Sequence, residues 1–204
     1  MNYLHKLDLP DNFTKPKILA VDTETMGLNP NRDKLCLVQL SSGDNNAHLV
    51  QVGGQFGYKA PNLISLMKNK NILKVFHYAR FDVAVIKKNL GVIPTPVFCT
   101  KIASKLARTY TDRHGLRELC KELINIEISK QQQSSDWGSH NLSKAQIKYA
   151  SNDVLYLHEI KDKLEVILER EKRLKLAYTI FRFIPTRVKL DLLGWPETDI
   201  FAHS

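Results

Sequence analysis

The chain has 204 residues, 43% of them hydrophobic and 25% charged, the profile of an ordinary globular protein with enough apolar material for one large core. Its formal charge of +9 favours a polyanionic partner such as a phosphate backbone. Cys36, Cys99 and Cys120 are odd in number, widely spaced and form no C-x-x-C pair, which argues against both a disulfide framework and a zinc site and fits a reducing compartment.

In chain order, residues 1–13 come first. Asp8, Pro10 and Asp11 stand where a signal peptide needs an apolar stretch, and no run approaches the ~18 apolar residues of a membrane span. No membrane partner is expected, and the expected location is the cytoplasm. Residues 18–21 form a short apolar run rising into Asp22 and broken by Gly27 and Pro30, the pattern of a buried strand ending in a turn. Residues 35–40 and 48–52 read as two further strands around a turn-rich link, predicting a hairpin. A proline-led helix is expected over 61–68 and a strand over 72–76. Val83, Ile86 and Leu90 at helical spacing, with Gly91 after them, predict a helix over 80–90 with Asp82 in its first turn.

Short helices are expected over 101–106 and 115–123, followed by a polar loop over 131–139. Ser143 and Gln146 have the spacing of a capping box, and the apolar stripe through Ile147, Ala150, Val154, Leu157, Leu164 and Leu168 predicts one long helix to about residue 170 or farther. Residues 181–204 contain Pro185, Gly194 and Pro196 and read as a tail that docks on the core or on a neighbouring subunit. The sum is an α/β fold, a mixed central sheet flanked by helices, in a single domain over 1–204 with its core at about 17–170 and a helical extension and tail over 171–204.

The chemistry is carried by four acidic residues and a tyrosine. Asp22 and Glu24, two apart on a strand, point to one face, and Tyr149 and Asp153, four apart on a helix, are surface neighbours. With Asp82 they form a set of hard oxygen donors that suits Mg²⁺ or Mn²⁺, whereas zinc recruits His or Cys. Two such cations ~3.5–4 Å apart support in-line displacement at phosphorus, so phosphodiester hydrolysis is the expected reaction. Asp22 is expected to bridge both cations, Glu24 and Asp153 to serve the one beside the attacking water, and Asp82 the one nearer the leaving group. Tyr149, neutral near pH 7 at its usual pKa of about 10, is expected to orient that water. A lone D-x-E triplet reads as a capping or solvated pair; three spaced motifs together read as a site.

Val21-Asp22-Thr23-Glu24, His77-x4-Asp82 and Tyr149-Ala150-x2-Asp153 resemble the DEDDy branch of the DnaQ-like 3′–5′ exonucleases, particularly ribonuclease D. That resemblance implies an RNase H-like fold, two divalent cations and release of nucleoside 5′-monophosphates from 3′ ends. Asp22 to Pro30, Thr109 to Leu116, Lys130 to Trp137 and the ending Gly194-Trp195-Pro196 to Ser204 further resemble the nanoRNase C family. Members of that family are bacterial exonucleases acting on very short RNA, dinucleotides above all, and form ring-like octamers. The resemblance therefore implies short RNA as partner and a homo-oligomer. Longer RNA tails or DNA 3′ ends are the alternative substrates, and a non-catalytic basic nucleic-acid-binding module is the reading from another class. With some thirty or forty residues after the last motif, the helical nucleic-acid-binding domains of tRNA-processing ribonucleases D are not expected here.

The substrate-binding candidates each have a plainer role beside the functional one. Leu28 sits at the distance from Asp22 where oligoribonucleases place a leucine between two bases; its plain role is packing under a turn. Tyr78 is a candidate for stacking on a base, and Phe81 reads as core. His77, at a strand end, is open to substrate contact but favours a structural hydrogen bond. Arg113 and His114 precede a helix start, where phosphate contact and plain solvation are both open. Thr23 lies inside the first motif. Gln133, Ser135 and Trp137 belong to a polar loop whose tryptophan points to ligand or subunit contact.

Overall fold

The computed structural model describes residues 1–129, 131–132 and 134–203. Among these, β1 (Asn2–Lys6), β2 (Ile18–Thr25), β3 (Leu35–Ser41), β4 (Ala47–Gln51), β5 (Leu73–Phe76) and β6 (Val97–Cys99) form one mixed sheet in the order β1-β4-β3-β2-β5-β6. The apolar start of β2 buries Leu19, Ala20 and Val21 completely, and all of β3 is buried. β2 runs antiparallel to β3 on one side and parallel to β5 on the other. The connectivity therefore reverses direction at β2, and in open α/β sheets a crevice forms outside the strand ends at such a point. Pairing of β2 with β3 also shifts register between Glu24 and Thr25, an irregularity that re-aims side chains where the strand leaves the core.

β1 and β6 lie outside what the sequence pattern predicts. β1 is an edge strand whose residues are exposed or half-buried, so it has no apolar face to generate alternation. β6 is buried throughout but only three residues long, too short for any period.

The helices are α1 (Pro61–Lys68), α2 (Ala79–Leu90), α3 (Thr100–Ala107), α4 (Leu116–Ile124), α5 (Lys144–Leu155), α6 (Leu157–Arg170) and α7 (Leu174–Leu193). α1 is capped from a distance: Asp8 accepts the backbone N–H groups of Asn62 at 2.7 Å and Leu63 at 2.9 Å. α2 ends at Gly91 in the left-handed region, φ 72°, as its C′ position predicts. The Ser143–Gln146 capping box is formed in both directions, at 2.9 and 3.2 Å.

Two expectations are corrected. The single helix to about residue 170 is two helices, broken at Tyr156 (φ −102°, ψ −5°). No glycine or proline marks the break; it follows packing, since α5 lies against β1 to β4 while α6 turns away to lie on α3 and α4. The residues from 181 onward are not a tail as far as 193, because α7 runs through Pro185. Pro185 removes one intrahelical donor, at a cost of about 3 kcal/mol. Phe181, Ile184 and Val188 bury the helix face against α2 and β6, and Phe98 meets Phe181 at 4.6 Å between ring centroids, enough burial to outweigh that loss. The tail proper starts at Gly194, φ 112°.

Candidate active site

Asp22 and Glu24 stand near the end of β2, and Asp153 reaches them from α5, so that one carboxylate oxygen from each of the three lies within 4.8 Å of the others. Asp82, in the first turn of α2 just beyond β5, is 3% exposed and stays outside that trio. Its Oδ1 accepts a hydrogen bond from Thr23 Oγ1 at 2.7 Å. The Gln39 amide, paired with Asp22 in the β2–β3 register, reaches Asp22 Oδ2 and Glu24 Oε1 at 3.5 Å each.

Burial dominates the electrostatics. It drives the Asp22 carboxyl far above the usual carboxylate range, helped by repulsion from Asp82, Asp153 and Glu24. Burial, then Asp153 and Asp82, pushes Glu24 up to about 9. Asp153 rises to about 7 by burial and the charge of Asp82. Asp82 also rises to about 7 by burial, against the opposing pull of the Thr23 hydrogen bond. Among the described residues no Lys or Arg forms an ion pair with any of the four. Four carboxyl groups pressed together without a cationic side chain are an all-oxygen donor set, which fits hard divalent cations. Tyr149 packs on Trp137, 6.0 Å between centroids, and burial followed by repulsion from Asp153, Glu24 and Asp22 holds its phenol above its ordinary value, so it stays protonated.

Residues 8–169 match the family model described as 3′-5′ exonuclease. The NrnC of Brucella melitensis bound to pGG is 56% identical, with a TM-score of 0.94 over 100% of this chain and 98% of that one. A structure of the same Brucella protein with bound Mg²⁺ is 55% identical, TM-score 0.93. Ribonuclease D of Acidiphilium cryptum is 34% identical over 81% of this chain, which spans 42% of that protein's length. The chain belongs to the ribonuclease D-like 3′-5′ exonucleases. Escherichia coli RNase D, at 24% identity and a TM-score of 0.75, shares the fold. The mixed sheet of this exonuclease, with its flanking helices, is the RNase H-like architecture.

The remaining candidates in this exonuclease separate by environment. Leu28 is 87% exposed and Tyr78 44%, the latter in the left-handed region at φ 68° with Lys101 Nζ 4.4 Å above its ring centroid. His77 is bonded through Nδ1 to Thr100 Oγ1 at 2.9 Å, and burial, then Lys101, lowers its pKa to about 3, so it is neutral. The Thr23 hydroxyl is engaged by Asp82. Arg113 is exposed, while His114 Nδ1 meets Ser104 Oγ at 2.8 Å. Ser135 donates to Gln132 within its own loop at 2.7 Å. Trp137 is 3% exposed, its indole N–H buried without a partner beside a cavity of about 410 Å³. Gln133 lies outside the described residues.

Sequence reasoning missed Gln39, although a lone amide within the apolar run Leu35-Cys36-Leu37-Val38-Gln39-Leu40 was a signal. It also missed Arg108. That guanidinium, fully buried, pairs with Glu122, bonds Ser104 Oγ at 3.1 Å and holds the Arg113 carbonyl at 2.8 Å, which fixes the turn bearing Arg113 and His114.

Proposed function

We propose that the chain hydrolyses very short oligoribonucleotides, chiefly dinucleotides, from the 3′ end to nucleoside 5′-monophosphates. The observation that carries the reading is the convergence of the Asp22, Glu24 and Asp153 carboxylates with buried Asp82 beside them and no cationic side chain among them. These four residues would hold two divalent cations, Mg²⁺ or Mn²⁺. Cations held there would supply a nucleophilic water and offset charge on the leaving oxygen, with Glu24 and Asp153 on the side of the attack and Asp82 on the side of the leaving oxygen. Tyr149, kept protonated and one helical turn before Asp153, orients the water by hydrogen bonding rather than by taking its proton. Leu28, whose side chain is free of the core, separates the two bases. Tyr78, Arg113 and His114 contact the substrate, and the loop carrying Gln133, Ser135 and Trp137 borders it.

The dinucleotide preference is supported by the likeness, along the whole chain, to a protein whose structure holds pGG. The same likeness supports one exonuclease domain over 1–204, and the expected homo-oligomer, an octamer by family resemblance, accords with exposed Leu176, Leu193, Trp195 and Phe201. No described helix is long and apolar enough to cross a membrane. A cytoplasmic location accords with three free cysteines. Similarity to ribonuclease D favours a second reading, the same chemistry on longer RNA or on DNA 3′ ends.

End-labelled RNAs of two to twenty residues and matching DNAs, incubated with Mg²⁺, Mn²⁺ or chelator, test the proposal. Dinucleotide RNA is expected to be turned over fastest, and chelator or Asp22→Ala to stop cleavage. Equal rates at all lengths would remove the dinucleotide preference. Binding without cleavage in every sample would leave a nucleic-acid-binding module.

A further inference from the structure

Gln39 is a buried amide in a strand that has no packing need of one. It interrupts the apolar run Leu35 to Leu40 on β3, every residue of β3 is buried, and Gln39 itself is 0% exposed. In the β2–β3 register it lies directly opposite Asp22, and residues directly opposite share a face, so the amide is on the side of the sheet that carries Asp22 and Glu24. Its Nε2 is 3.5 Å from Asp22 Oδ2 and 3.5 Å from Glu24 Oε1, while its Oε1 is buried with no hydrogen-bond partner among the described residues.

Stability does not explain this arrangement. A buried acceptor left unmet costs about 1–3 kcal/mol, and bonds at the outer edge of hydrogen-bonding distance return little. A leucine like its neighbours Leu37 and Leu40 would avoid that loss. What the amide brings is chemical: two N–H groups, one for each carboxylate, and no charge. A lysine in its place would also donate to both acids, but its positive charge would cancel part of the negative charge that attracts divalent cations. Thr23 treats Asp82 in the same neutral way, its hydroxyl donating to Oδ1 at 2.7 Å. A donor on one oxygen fixes how a carboxylate is turned, and so where its lone pairs point.

We infer that Gln39 is a positioning residue of the cation site, donating to Asp22 and Glu24 together and so setting the spacing and orientation of these two ligands on β2. This rests on the cation site proposed above and adds to it a residue that acts through the ligands. An amide that only filled space in β3 would change stability and leave cation binding alone.

The test measures Mn²⁺ binding to the substrate-free protein, by the paramagnetic resonance of free Mn²⁺, in the wild type, Gln39→Met, Gln39→Leu and Asp22→Ala. The melting temperature of each chelated protein and the Mn²⁺ dependence of dinucleotide hydrolysis are read alongside. Met and Leu carry no polar atom that burial would leave unmet, and one is unbranched and the other branched, so the β3 core is offered two shapes. The expected result is a Mn²⁺ dissociation constant about 10–100-fold higher in the Gln39 variants, with the Mn²⁺ concentration for half-maximal turnover raised in step. Turnover is expected to return towards the wild-type kcat at saturating Mn²⁺, with the melting temperature of the chelated protein held or raised. A folded Gln39 variant that binds Mn²⁺ as the wild type does, whatever its melting temperature, overturns the inference and leaves the cation site standing. Equal Mn²⁺ binding by the wild type and Asp22→Ala overturns both.

Discussion

At the residue scale, the site gathers negative charge that the fold alone does not neutralise. Asp22 is the extreme case, flanked by Asp82, Asp153 and Glu24. Replacing it by asparagine keeps the shape and deletes one charge. Asp22→Asn is expected to lower dinucleotide turnover roughly 10³-fold or more, the scale of losing a central electrostatic group, while raising the melting temperature of the chelated protein by removing a buried ionisable carboxyl and, secondarily, its repulsion from its neighbours. Normal turnover by this variant would mean that the site has been assigned to the wrong residues. The pH dependence has a definite sign. Glu24 at about 9 and Asp82 and Asp153 at about 7 lie above their unfolded-chain values near 4, so the folded protein binds more protons than the unfolded chain between those limits. The stability these three groups contribute to the chelated protein is therefore fully present below about pH 4 and is lost as pH rises from there through 7 towards 9, a loss that added Mg²⁺ should abolish. Urea denaturation across that range, with and without Mg²⁺, checks it; a metal-free profile that rises with pH contradicts the burial of these groups.

At the element scale, the helices are placed by their ends. α5 brings Tyr149 and Asp153 to the sheet, and its entry is set by the reciprocal Ser143–Gln146 bonds. α1 depends on Asp8, which lies outside the site and accepts two of the helix's first N–H groups. Asp8→Ala and Ser143→Ala should each cost about 1 kcal/mol in urea denaturation. Their activities should differ: Ser143→Ala lowers turnover by loosening the element that carries Asp153, and Asp8→Ala leaves turnover unchanged. Equal effects on turnover would show that α5 is held by its packing on the strands and not by its cap.

At the scale of the whole molecule, α7 is the last helix laid onto the core, against α2, β6, α6 and α3. It packs on α2 and β6 through Phe181, Ile184 and Val188, with Tyr178 and Phe98 meeting Phe181 edge-on or tilted. Phe181→Ala is expected to cost about 3–5 kcal/mol, because the residues around it are too tightly packed to close the void. Calorimetry measures it; a loss below about 1 kcal/mol would mean that α7 is dispensable to the core.

Much of this was legible before folding was considered. Short apolar runs bounded by turn residues marked β2 to β5, and apolar residues at helical spacing marked most helices, because burial leaves its pattern in the chain. The four acidic residues and Tyr149 were legible as candidates because their spacing within each motif is set by local geometry, one face of a strand or one turn of a helix. Gln39 beside Asp22, Arg108 behind the Arg113 turn, the break at Tyr156, the helix through Pro185 and the ion pair of Arg80 with Asp191 were not. Most of these are decided by what another segment brings alongside, 111 residues away in the case of Arg80 and Asp191. Local sequence therefore specified the chemical groups and the elements that bear them. Which carboxylates lie together was decided only by tertiary packing, since it sets distances between groups whose separation along the chain carries no period.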